Sequence, residues 1–203
     1  MRRKRVFIGI NDVSGFSIRF KNGFNKIGVD ADFYSPAGHI YGFKTDKLIK
    51  YSKNSFIRKI QKISLLAKMI LKYDYFLYIS PSSILKDFQD IKLLRKFGKT
   101  TMMLFTGCDL RIPEKISHYK WNPCSGCTPE YKEFVKCVID TKKIMIRHLE
   151  NTFDIIGAPF EAAGYLEKKY FNAIFPFDMD EFDKYKDRAY SPSKPLKIFH
   201  APS

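Results

Sequence analysis

The 203-residue sequence contains no apolar run approaching the roughly 20 residues that a membrane-spanning helix needs. The stretch after Met1-Arg2-Arg3-Lys4-Arg5 is apolar only from Val6 to Ile10, which fits a first strand rather than a signal peptide. Acidic residues are scarce: 21 Asp plus Glu face 36 Lys plus Arg, a formal charge of +15. Cysteine is scarce too. Four cysteines in a chain with no visible leader suggest a reducing compartment, where clustered thiols more often mean metal ligands or free thiols than disulfides. The first loop carries Gly9 and Gly15 without the G-x-G-x-x-G spacing of a dinucleotide site, which argues against a nicotinamide cofactor. No nucleic-acid motif accompanies the basic residues, so no nucleic-acid partner is expected.

What is present is ample material for a core, with 45% hydrophobic and 16% aromatic residues. Val6 to Ile10 reads as a strand buried on both faces, Asn11 to Gly15 as a turn, and Phe16 to Lys26 as a helix stopped by Gly28. Val29 to Tyr34 follows as a strand, and Ser35 to Asn54, with Pro36, Gly38 and Gly42, as an irregular surface excursion. Tyr73 to Ser80 is strand-like, Ile84 to Lys96 helical with a stripe of Ile84, Phe88, Ile91 and Leu94, and Thr100 to Phe105 a further strand. A cysteine-bearing insertion runs to Cys137. Helix resumes from Ile139 to Asn151 and strand at Phe153 to Gly157. A last alternation covers Glu161 to Lys169, Ala173 to Phe175, the acidic stretch Asp178 to Asp187, and Leu196 to Phe199. Strand and helix alternate throughout, the pattern of a parallel sheet with helices on both faces. The loops Asn11 to Gly15, Ser80 to Ser83 and Thr106 to Arg111 then share the rim at the carboxyl ends of the strands, where such sheets bind ligands.

Three sets of residues carry candidate chemistry. In Thr106-Gly107-Cys108-Asp109-Leu110-Arg111 an acceptor and a cation stand two apart on that rim; the alternative is a structural ion pair between Asp109 and Arg111. Gly15 at a helix mouth can let a phosphate meet free N–H groups, or mark an ordinary turn. Cys108, Cys124, Cys127 and Cys137 are spaced C-x15-C-x2-C-x9-C, and the C-x2-C knuckle at Pro123-Cys124-Ser125-Gly126-Cys127 suits a four-thiolate structural zinc, with His118 a substitute ligand; free thiols or a labile disulfide are the alternative. His39 and His148 have no partner visible in sequence, and surface or packing roles are expected of both.

The segment Ser55 to Lys72 places Phe56, Ile60, Ile63, Ala67, Ile70 and Leu71 at helical spacing, with Arg58, Lys59, Lys62, Lys68 and Lys72 on the remaining arc. Such a helix either covers a sheet or lies on anionic lipid, with Arg58, Lys59 and Lys62 as the contact residues.

Taken together these stretches resemble the N-terminal half of bacterial GT-B glycosyltransferases of the retaining kind grouped around family four. Arg5 to Tyr34 is similar to that family's first strand, acceptor-side loop, helix and second strand. Tyr73 to Arg111 is similar to its strand, a helix with Asp90 and Leu93-Leu94, then Gly98-Lys99 and a strand ending in Gly-(Ser/Cys)-Asp-(Val/Ile)-Arg. Leu196 to Ser203, ending His200-Ala201-Pro202-Ser203, resembles the strand that opens the second domain. Relatives often carry a histidine near Tyr78-Ile79-Ser80, and this chain does not.

The resemblance implies a Rossmann-like acceptor-side domain at 1–190 and, at 191–203, a linker and the first strand of a C-terminal donor-binding domain supplied in cis or in trans. It implies transfer of a sugar from a nucleotide-sugar donor to a glycan or lipid-linked acceptor in cell-surface polysaccharide synthesis, in the cytoplasm or at the inner face of the plasma membrane. Asp109, Arg111 and Ser80 would hold the acceptor, and Asp12, Ser14 and Gly15 would face the donor phosphates. No two glutamates stand eight apart, so the family's Glu-x7-Glu pair would lie in the missing domain, and this chain alone would be inactive. The rivals are a zinc-dependent basic module that binds nucleic acid and a stand-alone nucleotide-binding protein of flavodoxin-like topology.

Overall fold

A computed structural model of the chain describes residues 4–36, 38, 42, 45–118, 120, 122, 124–134, 137, 139–159, 164–168, 170–173 and 176. Within these, strands and helices follow the order β1 (Arg5–Gly9), α1 (Phe16–Lys26), β2 (Asp30–Ser35), β3 (Lys47–Leu48), α2 (Ser55–Lys72), β4 (Tyr75–Ile79), α3 (Gln89–Lys96), β5 (Thr100–Leu104), α4 (Pro113–Ile116), α5 (Pro129–Phe134), α6 (Ile139–Thr152), β6 (Ile155–Ala158) and β7 (Phe171–Asn172). His39, Arg2, Arg3, Pro123, the acidic stretch Asp178 to Asp187, the segment Leu196 to Phe199, the motif His200 to Ser203 and the whole 191–203 second-domain segment lie outside the described residues.

The seven strands form one sheet in the order β3-β2-β1-β4-β5-β6-β7, every neighbouring pair parallel. The protein is an α/β chain with a Rossmann-like sheet. β1 shows why: Val6, Phe7 and Ile8 are all buried, so the strand is apolar on both faces, as a central parallel strand must be. Alternate residues feed two cores. Phe7, Phe76, Tyr78, Met103, Phe105 and Ile156 face one side with Leu66 and Met69 of α2, Ile91 and Leu94 of α3, and Ile146 and Leu149 of α6. Val6, Ile8, Phe33, Leu77, Ile79 and Leu104 face the other, against Phe16, Phe20 and Phe24 of α1. A right-handed crossover moving from β1 to β2 puts its helix opposite to those that move from β3 to β6, which is the distribution found.

With β3 counted, the order is that of doubly wound dinucleotide-type sheets; with this two-residue strand omitted it becomes the flavodoxin-like order, so topology does not separate those two readings. Either way the order reverses between β1 and β4. That switch point brings the loops after β1, β4 and β5 side by side, as Gly9 pairs with Tyr78 and Ile79 with Leu104.

Two elements differ from the sequence expectation. The helix expected from Ile84 begins at Gln89, because Asp87 and Phe88 take left-handed conformations in a preceding 3-10 turn, Lys86–Phe88. The buried Asp90 carboxylate reaches back to accept the Ile84 N–H at 2.8 Å and the Tyr78 hydroxyl at 3.1 Å, which holds this approach to the helix. Burial raises the Asp90 pKa, and those hydrogen bonds partly offset it. The 35–54 excursion, expected to be irregular, contributes edge strand β3, paired through Tyr34↔Lys47 and Ser35↔Leu48. Two residues are too few to show alternation.

In α2, Asn54 caps the first turn by accepting the Phe56 and Ile57 N–H groups. Its buried face is Leu66 and Met69, with Leu65 and Ile70 packed beside them. The stripe that the sequence singles out turns mostly outward: Phe56 is 70% exposed, Leu71 77%, and Ile60 and Ile63 about half. The helix therefore carries two apolar faces, and only one of them covers the sheet.

Candidate functional site

The rim is built on the ends of β4 and β5. Gly107 follows β5 with φ 143°, a conformation that favours glycine, and a Cβ there would stand 3.4 Å from the Arg111 guanidinium. The chain then turns back, Leu110 and Arg111 both donating their N–H groups to the Gly107 carbonyl at 2.9 and 3.0 Å. Inside this turn the Asp109 carboxylate accepts the N–H of Gly107 at 2.7 Å and of Thr106 at 3.0 Å, and the hydroxyl of Ser80 at 3.0 Å. The Thr106 hydroxyl lies 3.2 Å from the same carboxylate and 2.9 Å from Ser80 Oγ. Two hydroxyl protons serve three edges of that triangle.

Asp109 is thereby a latch. Its lone pairs are directed at the backbone of its own loop and at the end of β4, where Ser80 holds a left-handed conformation and donates its N–H to Leu104 O at 2.9 Å. Of the three residues expected to meet an acceptor, Ser80 and Asp109 join each other, and Arg111 lies against Gly107 with its Nη1 3.9 Å from Cys108 Sγ. Thr106 was not singled out from the sequence, although a hydroxyl ending an apolar strand just before Gly is a readable sign of such a latch.

The loop after β1 is also internally bonded. Asp12 Oδ1 accepts the Ser17 N–H at 2.9 Å, the Ser17 hydroxyl donates to Asn11 O at 3.0 Å, and Phe16 N–H meets Val13 O. Ser14 and Gly15 take left-handed conformations that turn the chain into α1. The anion at this helix start is thus the protein's own Asp12 carboxylate, standing where a phosphate would meet Ser17.

The four cysteines come together. Cys108, Cys124, Cys127 and Cys137 all line one small cavity beside Arg111 and Lys142, whereas His118 is exposed and does not line it. All four are unbridged thiols, and burial together with the neighbouring thiols pushes the Cys124 thiol up, with Arg111 acting in the opposite direction. Among the described residues no group of three or more His, Cys, Asp and Glu side chains is set to hold a metal ion as it stands. Lys142 was missed from the sequence. It occupies the buried stripe of α6 that continues through Ile146, Leu149 and Phe153, and a lysine at such a position is the signal that could have found it. His148 packs its ring 5.9 Å from Phe88, a packing role.

Between α2 and α3 lies an apolar groove of about 580 Å³, walled by Ile63, Ala67, Leu71, Leu85, Leu93 and Phe97. α2 contributes five cations in 18 residues and no acid. Arg58 and Lys59 are exposed; Lys62 is half-buried, with Nζ 5.8 Å from the centre of the Tyr51 ring. No helix among the described residues is long and apolar enough to cross a membrane.

Compared with known proteins, the chain matches no family model and no curated protein. A solved structure, a conserved protein from Enterococcus faecalis V583, is 13% identical to it, the match covering 92% of this chain and 99% of that one at a TM-score of 0.34.

Proposed function

We propose that this chain is the acceptor-side half of a GT-B glycosyltransferase that works at an anionic membrane surface. It takes a lipid-linked or glycan acceptor, while a donor-binding domain in cis or in trans holds the nucleotide sugar. The observation that carries the reading is the exposed apolar groove between α2 and α3, one wall of which is a helix with five cations and no acid. An apolar groove on a helix without acids suits a bilayer whose lipids carry negative charge. The rim supports the same reading, because the Asp109 latch leaves Arg111 beside a glycine at the sheet's switch-point edge, where a planar cation can orient an acceptor.

The geometry supports a division of roles. Asp109 and Ser80 position the loop; Arg111 is the group that would meet the acceptor. Transfer needs an acceptor hydroxyl held against the sugar carbon as the diphosphate leaves, and fixed orientation is what this half would supply. The test is transfer of labelled sugar from nucleotide-sugar donors to membrane lipid extract by the chain joined to its donor domain. Arg111→Lys should cut transfer at least tenfold at an unchanged melting temperature, since Lys keeps the charge and loses the fork. Equal transfer by both proteins would remove Arg111 from the acceptor site, and absence of transfer with every nucleotide sugar would refute the reading.

A further inference from the structure

We propose that Cys108, Cys124, Cys127 and Cys137 together hold one zinc ion, which staples the insertion after α4 to the rim loop that carries Asp109 and Arg111. The inference stands apart from the glycosyltransferase reading. Its first support is placement: thiols from the rim loop, the 124–127 turn and the start of the segment leading into α6 line a single cavity, although up to 29 positions separate them in sequence. The Cys127 N–H faces the Cys124 carbonyl at 3.4 Å, the tight knuckle that presents two sulfurs to one ion.

The second support is charge. Arg111, Lys132 and Lys142 line the same cavity, and among the described residues no carboxylate lines it. Lys142 is 7% exposed, donates to Cys108 O at 2.8 Å and Arg111 O at 3.0 Å, and stands 3.3 Å from Cys137 Sγ. Two carbonyls solvate an ammonium without neutralising it, so a lysine this buried calls for an anion. Zinc bound by four thiolates leaves two units of negative charge, which Lys142 beside Cys137 and Lys132 on the cavity wall face.

The cavity measures about 20 Å³, room for one water-sized body and so for a single ion. The sulfurs share one cavity without being set as ligands as they stand, so binding must draw them together, and each thiol yields its proton to solvent. Drawing them together costs free energy which metal binding supplies.

The experiment is metal analysis of the tag-free chain, purified without added metal and washed with a weak chelator, followed by exchange with cobalt(II). The expected result is about one zinc per chain and, after exchange, the intense visible bands of tetrahedral cobalt with thiolate charge-transfer bands. The thiolate absorption should fall by roughly a quarter in Cys137→Ser, which removes one of four ligands. Lys142→Gln should retain the bands and bind zinc about tenfold more weakly, as loss of an outer partner does. Zinc near zero with four thiols reacting at once in the folded chain would overturn the proposal. So would iron with acid-labile sulfide, or a cobalt spectrum that Cys137→Ser leaves unchanged.

Discussion

At the scale of single residues, the rim turns on Asp109. Its carboxylate accepts two backbone N–H groups and the Ser80 hydroxyl, so its removal would free the 106–111 loop from the end of β4. Asp109→Asn turns one acceptor oxygen into a donor facing other donors. Leaving such groups unpaired costs about 1–3 kcal/mol, which lowers Tm by roughly 3–10 °C in a chain of this size. Thermal unfolding followed by circular dichroism checks this, and an unchanged Tm would show that the latch contributes nothing to the fold. Asp109 and Arg111 are equally conspicuous in the sequence, where their spacing suggests one shared role. The structure divides them, because backbone N–H groups that turn toward a side chain leave no trace in residue type.

At the scale of elements, periodicity located the helices and the buried stripe of α3, and left open which face of α2 meets the sheet. α1, α2 and α6 lie close to where the apolar spacing put them, and Gly98 ends α3 through its left-handed conformation. α2 is the instructive case. Two apolar arcs fit an 18-residue helix, and nothing in the sequence says which one meets the sheet; Leu66 and Met69 do, and the longer stripe is left outside. The join between β2, β3 and α2 was illegible for another reason, since it rests on an ion cluster between distant positions. Asp32 of β2 pairs with Lys47 of β3 and with Lys72 at the end of α2, each at 2.7 Å, and accepts the Tyr73 hydroxyl.

Burial would raise the Asp32 pKa, but hydrogen bonds from Lys47, Lys72 and Tyr73 outweigh it and hold the carboxyl well below the usual carboxylate range. A folded pKa below the unfolded one adds stability that is complete above the unfolded value, about 3.9, and is lost as pH falls toward the folded value. Asp32→Asn should therefore be less stable than the parent chain at neutral pH, and the gap should narrow below about pH 4. Urea unfolding at a series of pH values measures it. A gap that stays constant down to pH 2 would mean that the cluster acts through shape and not through charge.

At the scale of the whole molecule, the alternation of strand and helix was enough to give the parallel sheet and the rim, because each strand had to be apolar and each crossover helical. What stayed hidden is the surface. The charge of +15 reads in the sequence as a uniform excess, whereas in the fold α2, a helix with five cations and no acid, also walls an apolar groove. The measurement that tests the central claim most directly is co-sedimentation with lipid vesicles. The parent chain is compared with Arg58→Gln/Lys59→Gln and with Leu71→Ser/Phe97→Ser, all four positions being exposed. The parent should bind vesicles rich in anionic lipid, release them at high salt and ignore neutral ones. Each cation near the surface contributes about 1 kcal/mol, so the charge variant should bind roughly 30-fold more weakly at low salt, and the groove variant should also bind more weakly there. Equal binding by all three proteins, or equal binding to neutral vesicles, would contradict an acceptor half that works at the membrane.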